Sequence, residues 1–252
     1  MRKVWFIAGA SSGYGRAWAR IALERGDLVA GTARDVGMLS DLAAAFGDSF
    51  LPIELDVRDR DADVAAVKAA HRHFGRLDVV VASAVYGQFG MVEELSEKEA
   101  RSQMDANFFG PLWIAQAALP ILRGQRSGHI IAVSSDTGGA GQPERGVYTA
   151  STAALQALSD SLAAEVAQFG IKVTFLQPAR TGADWIEVAA EHSAVLPAYR
   201  TNHRLPDGPR RADPGADEAA AAAMMTIVDA DAPTRPASVV PAMDYVGAGY
   251  VA

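Results

Sequence analysis

The chain has 252 residues, half of them hydrophobic and 21% charged, enough to bury the core of one large α/β sheet. A formal net charge of −7 without any basic run argues against nucleic acid and anionic membranes as partners. The absence of cysteine excludes disulfide and thiol chemistry and suits a reducing compartment, so a cytoplasmic location is expected.

Met1-Arg2-Lys3 ahead of an apolar run imitates a signal peptide. The run over 4–8 is too short for one and leads into Ser11-Ser12-Gly13, so it reads as a first buried parallel strand. A helical period follows through Ala17, Ile21 and Leu23, and Gly26-Asp27 turns the chain into a second strand over 28–32. Segments 39–46 and 61–74 read as helices, and 50–55 and 77–82 as strands. Ser96 with Glu99 three residues on forms a capping box for a long helix reaching about residue 122. A strand over 129–134, a helix over 147–169 and a strand over 171–176 come next. Segment 178–214, with several prolines and two histidines, breaks the rhythm and reads as a loop-helix insertion at the carboxyl edge of the sheet, where ligands bind. The helical pattern resumes over 216–228, and 237–240 reads as a last edge strand. The apolar stretch at 219–228 is too short to span a membrane. This alternation predicts an α/β fold: one Rossmann-type, doubly wound parallel sheet with helices on both faces, built from residues 1–252 as a single domain.

Ala8-Gly9-Ala10-Ser11-Ser12-Gly13-Tyr14-Gly15 joins the first strand to the first helix. Glycines there let the backbone approach a pyrophosphate, and the helix N-terminus favours its charge. A tight strand-helix turn is the plainer alternative, but the position at the first such junction favours nucleotide binding through Gly9, Ser11, Ser12, Gly13, Tyr14 and Gly15. Arg34, just past the second strand, suits the 2′-phosphate of NADP(H), where an acidic residue would suit NAD; otherwise it is a solvated loop cation. Asp56 and Val57, after the third strand, either face an adenine or cap the helix that follows.

The glycine loop, Asp56, Asn107 in Met-Asp-Ala-Asn-Phe-Phe-Gly, Ser134-Ser135, Tyr148, and Pro178 with Thr181 together resemble the short-chain dehydrogenase/reductase family over nearly the whole chain. Ser135 lies thirteen residues before Tyr148, the separation usual in that family. The resemblance implies that Ser135 orients a carbonyl, that Tyr148 protonates it, and that Asn107 supports the proton relay. It also implies a small-molecule substrate, NADP(H) held by the glycine loop, Arg34, Asp56, Val57, Pro178 and Thr181, and a homodimer or homotetramer built on the helices at 96–122 and 147–169.

Three departures concern the nicotinamide half of that site. Thr152 stands where the family has its lysine, Ala82-Ser83-Ala84-Val85 where it usually shows Asn-Asn-Ala-Gly, and Ala179 where a glycine usually follows the proline. A free tyrosine titrates at about 10 and a nearby cation lowers such a group by roughly 1–3 units, so without the lysine Tyr148 is expected to stay neutral near pH 7. A neutral tyrosine still donates a proton, so reduction suffers less than oxidation.

Other polar residues have bland alternatives. Asp136 is an acid-base candidate or a solvated carboxylate; Glu144 and Arg145 read as a surface ion pair. His71 and His73, two apart on a helix, face different ways and make no metal pair. No metal-ligand spacing is evident anywhere in the chain. His192 and His203 lie in the insertion, and Tyr86, Asp136, Trp185 and Tyr199 are candidate pocket walls or, for the aromatics, core. The joint loss of the lysine and of Asn-Asn-Ala-Gly points first to a non-redox enzyme, performing cyclisation, dehydration or isomerisation on a bulky organic substrate. A conventional NADPH-dependent carbonyl reductase tolerating Thr152 is the alternative, and a catalytically silent binding protein the third reading.

Overall fold

The computed structural model describes residues 2–134, 142–177, 190–201 and 216–230. Short apolar runs form the sheet. Val4–Ala8 (β1), Leu28–Ala33 (β2), Phe50–Glu54 (β3) and Val79–Ala82 (β4) are joined, after a short strand Gly87–Phe89 (β5), by Gly128–Val133 (β6) and Ile171–Leu176 (β7). Six of these strands lie parallel in the order β3-β2-β1-β4-β6-β7. The order reverses between β1 and β4, which opens a crevice at the carboxyl ends of those two strands.

Strand residues alternate between two buried faces, as a sheet covered on both sides requires. Phe6, Ala30, Val80, Ile130 and Val173 join one core with Val67 of helix α3 (Arg60–Phe74) and Ile114 and Leu122 of α5 (Gly110–Gln125). Val166, at the end of α6 (Gly146–Val166), joins the same core. Trp5, Ile7, Val29, Val81 and Ile131 face the other way, onto Trp18 of α1 (Gly13–Glu24), Leu42 of α2 (Ser40–Phe46) and Met224 of α7 (Ala216–Asp229). Among the described residues no helix is long and apolar enough to cross a membrane.

The capping box at Ser96 forms in both directions, with the Glu99 N–H on the Ser96 hydroxyl at 3.2 Å and the Ser96 N–H on the Glu99 carboxylate at 2.7 Å. The helix it opens is not continuous. It runs as α4 (Glu97–Met104), loosens into a π-turn over Asp105–Phe109, and resumes as α5. Wide turns of this kind are rare and concentrate at functional sites. Two contacts hold this one. Gly110 presses on the chain after β3, where an added Cβ would lie 2.7 Å from the Val57 carbonyl oxygen, and Asn107 binds the chain after β4 at Tyr86.

The expected insertion contains an element the sequence did not announce. Ala190–His192 (β8) pairs in parallel with β5, in the register Gly87↔Ala190 to Phe89↔His192. Segments 178–189 and 202–215 of the insertion and the expected strand at 237–240 lie outside the described residues.

Candidate active site

The glycine loop rises from β1 into α1 beside the β1–β4 crevice. Gly9 has φ +83, and a Cβ there would come within 2.8 Å of the Ala84 backbone, so only glycine lets this loop and the end of β4 meet. The Ala10 N–H donates to the Thr32 carbonyl at 2.8 Å, and the Ser83 N–H to the Ala8 carbonyl at 3.0 Å, fixing both walls. Ser11 leads to Ser12, the extended N-cap residue of α1, whose side chain makes no capping bond, and the first turn carries no acidic residue. The leading N–H groups at Gly13, Tyr14 and Gly15 are therefore suited to an anion. The Tyr14 ring stacks on Trp18 at 5.6 Å and packs toward the core.

Arg34 is exposed just past β2. Asp56 does not cap α3; Asp59 does, accepting from the Asp61 and Ala62 N–H groups at 2.9 and 3.1 Å. Asp56 instead receives the Arg58 side chain and, at 3.1 Å, its backbone N–H. The hydrogen bonds from Arg58 hold the Asp56 carboxyl below the ordinary carboxylate range. Val57 is buried against Gly110.

The other half of the crevice is organised by a carboxamide clamp. Asn107 Oδ1 accepts from the Tyr86 N–H at 2.9 Å while its Nδ2 donates to the Tyr86 carbonyl at 2.8 Å, so the chain after β4 is held by both backbone groups. Gln103, fully buried, repeats the arrangement: Nε2 donates to the same carbonyl at 2.8 Å, and Oε1 accepts from the Gln88 N–H at 2.7 Å. Both amides also donate to the Ser151 hydroxyl at 3.4 Å, which in turn donates to the Tyr148 carbonyl at 2.7 Å. This network runs from α4 through the π-turn to α6. Gln88, Gln103 and Ser151 belong to no motif and were not anticipated; their signal, polar residues amid apolar neighbours, is too common to single them out.

Tyr148 lies in the first turn of α6 and is 2% exposed, its ring tilted against Phe89 at 5.6 Å. Thr152, one turn on and also buried, donates its hydroxyl to the Thr149 carbonyl at 2.9 Å. That hydrogen is spent inside the helix, as threonine hydroxyls commonly do, and only oxygen lone pairs remain for a neighbour. The expected Glu144–Arg145 surface pair is not formed. Glu144 takes a left-handed backbone conformation, φ +68, and Arg145 turns away from it to lay its guanidinium 5.7 Å from the centre of the Phe89 ring. Ser135, Asp136, Pro178, Ala179, Thr181 and Trp185 lie outside the described residues.

The β5–β8 pair roofs this region. The Tyr86 hydroxyl shares its one hydrogen between Gln88 Oε1 at 2.7 Å and the Glu191 carboxylate at 3.1 Å; burial, and then that carboxylate, push its pKa up to about 12. Gln88 Nε2 reaches the Ser193 hydroxyl at 2.9 Å. Glu94 accepts from the Met91 and Leu196 N–H groups at 2.9 and 2.8 Å, and the Tyr199 hydroxyl donates to Glu93 at 2.6 Å. Tyr86 and Tyr199, candidate pocket walls, thus have their hydroxyls engaged in pinning segment 190–201 to the chain before α4. The His192 ring stands 5.7 Å from Phe89.

Comparisons with known proteins agree with this architecture. Residues 3–193 match the family model described as short chain dehydrogenase. The chain is 41% identical over 201 residues to the oxidoreductase BOA17 of Botryotinia fuckeliana, covering 79% of this chain and 73% of that protein. A crystal structure of a short-chain dehydrogenase from Streptomyces avermitilis superposes with a TM-score of 0.82 at 37% identity, over 93% of this chain and 86% of the other. A metagenomic short-chain oxidoreductase solved in complex with NADP gives a TM-score of 0.67 at 30% identity, over 70% and 81%. The chain belongs to the short-chain dehydrogenase family.

Proposed function

We propose that this protein is an NADP(H)-dependent carbonyl reductase that works in the direction of reduction, with Tyr148 as a neutral proton donor. The carrying observation is the Asn107 clamp: both backbone groups of Tyr86 are held although Ala82-Ser83-Ala84-Val85 has replaced the usual sequence before them. The chain after β4 thus keeps a fixed course beside the glycine loop. The Gly9–Ala84 approach and the α1 N-terminus without a side-chain cap fit a dinucleotide pyrophosphate, Arg34 suits a 2′-phosphate, and a relative of known structure binds NADP. When bound, the nicotinamide supplies hydride. Tyr148, buried against Phe89, then delivers a proton to the carbonyl oxygen, with Ser135 as a second hydrogen-bond donor. Because Thr152 carries no charge, nothing at that position favours the tyrosinate that alcohol oxidation requires of its base. Phe109, 36% exposed and stacked on Trp113, gives α5 an apolar patch that suits burial in a homodimer or homotetramer.

Steady-state consumption of NADPH against a panel of ketones tests this reading. Tyr148→Phe should lower the rate by roughly 10²–10⁴-fold, the usual worth of a positioned acid. A rate unchanged by that substitution would remove Tyr148 from the chemistry.

A non-redox reading, in which the same Tyr148 and Ser135 promote cyclisation, dehydration or isomerisation, is favoured by the Thr152 hydroxyl hydrogen being committed to its own helix and so not donated to a cofactor ribose. Conversion of substrate with no loss of NADPH would establish it in place of reduction.

A further inference from the structure

The Phe89 ring is the meeting point of three polar side chains, two from the start of α6 and one from β8. Tyr148 packs on it at 5.6 Å, His192 of β8 at 5.7 Å, and Arg145 places its guanidinium carbon 5.7 Å from the same centroid. Arg145 is half-buried and makes no ion pair among the described residues. The carboxylates of the neighbouring strap are already engaged, Glu94 by the Met91 and Leu196 N–H groups and Glu191 by the Tyr86 hydroxyl.

Its position is electrostatically odd. Arg145 is the N-cap residue of the 21-residue helix α6, which has no side-chain capping bond and no acidic residue in its first turn. A cation at the positive end of a helix is opposed by the backbone dipole, and the usual occupant is an anion. The contact with Phe89 compensates in part, and among the described residues no carboxylate pairs with the guanidinium. Beside it stands an apolar lip. Val92 is 78% exposed and lies against the first residue of α6, so close that a Cβ on Gly146 would come within 3.3 Å of it.

We propose that Arg145 is a specificity-determining residue that binds an acidic group of the substrate. The substrate class is then a carbonyl compound carrying a carboxylate next to an apolar body. The apolar body rests on Phe89 and Val92, the acid meets Arg145 and the α6 N-terminus, and the carbonyl reaches Tyr148. This assignment rests on the reading of Tyr148 as the proton donor to a carbonyl, but its test reads binding alone.

Calorimetric titration of the full chain, with and without NADP⁺, compares benzoylformate with its uncharged methyl ester as probes. The wild-type protein should bind the acid about 10–100-fold more tightly than the ester, the worth of a charge-assisted hydrogen bond. Arg145→Gln should remove that preference without altering ester affinity, and Arg145→Lys should keep part of it. Acid binding to the wild type should also weaken as salt is raised, a measurement that needs no variant. Equal affinity for acid and ester, no binding of either, or an unchanged acid affinity in Arg145→Gln overturns the assignment. Failure of the reductase reading shows differently, as intact acid selectivity without any hydride transfer.

Discussion

Asp63 gives the sharpest quantitative test of how this fold is held together. It lies in the first turns of α3, is 0% exposed, and among the described residues neither carboxylate oxygen has a hydrogen-bond partner. Burial, with the charges of Asp59 and Asp56 nearby, raises its pKa from the ordinary 3.8 to about 8. The native carboxyl therefore keeps its proton through neutrality, while the unfolded chain releases it near pH 4. Between those values the unfolded state binds fewer protons, so each pH unit removes about 1.4 kcal/mol of stability, and the loss is complete above pH 8. Summed over that window the group costs on the order of 5 kcal/mol, comparable to the whole stability of a modest domain. Asp63→Asn keeps the volume and removes the titration. Urea denaturation of both proteins at pH 5.5, 7.0 and 8.5 and constant ionic strength should show the variant gaining on the wild type by roughly 3 kcal/mol across the range. A difference that does not change with pH would refute the reasoning.

Three further substitutions address the site. Gly9→Ala forces a side chain into the Ala84 backbone at a φ of +83, and should lower NADP⁺ affinity at least tenfold by fluorescence titration. Asn107→Leu leaves the Tyr86 N–H with no carboxamide to accept it and should destabilise the protein by about 2 kcal/mol, read from the urea midpoint. Tyr86→Phe removes the hydroxyl contacts with Glu191 of β8 and with Gln88 while sparing the clamp; it should cost about 1 kcal/mol and raise KM more than it lowers kcat. A kcat loss at unchanged KM would instead place the Tyr86 hydroxyl in the chemistry.

The sheet was legible because its strands are apolar runs bounded by turn residues: 4–8 and 171–176 agree with the sequence reading residue for residue. The capping box at Ser96 and the glycine loop were legible for the same local reason, each being a pattern of a few adjacent residues. What escaped is non-local. The π-turn follows from Gly110 against Val57 and Asn107 against Tyr86, contacts no helical period can announce. The β5–β8 pair joins strands of three residues each, too short for an alternating pattern and about a hundred residues apart. Asp56 reads from the sequence as either an adenine contact or the cap of the next helix, and the course of the chain gives the cap to Asp59 instead. Arg145 looked like half of a surface pair because Glu144 adjoins it, yet the two form no ion pair and Arg145 lies over Phe89.

In the proposed function Thr152 is the residue on which the chemistry turns, since its hydroxyl carries no charge and is already bonded to its own helix. The most direct measurement is reduction with NADPH deuterated at the transferring position, followed by mass analysis of the product. One deuterium in the product alcohol is the result predicted for a reductase with a neutral Tyr148; complete conversion of substrate to a product without deuterium would contradict it.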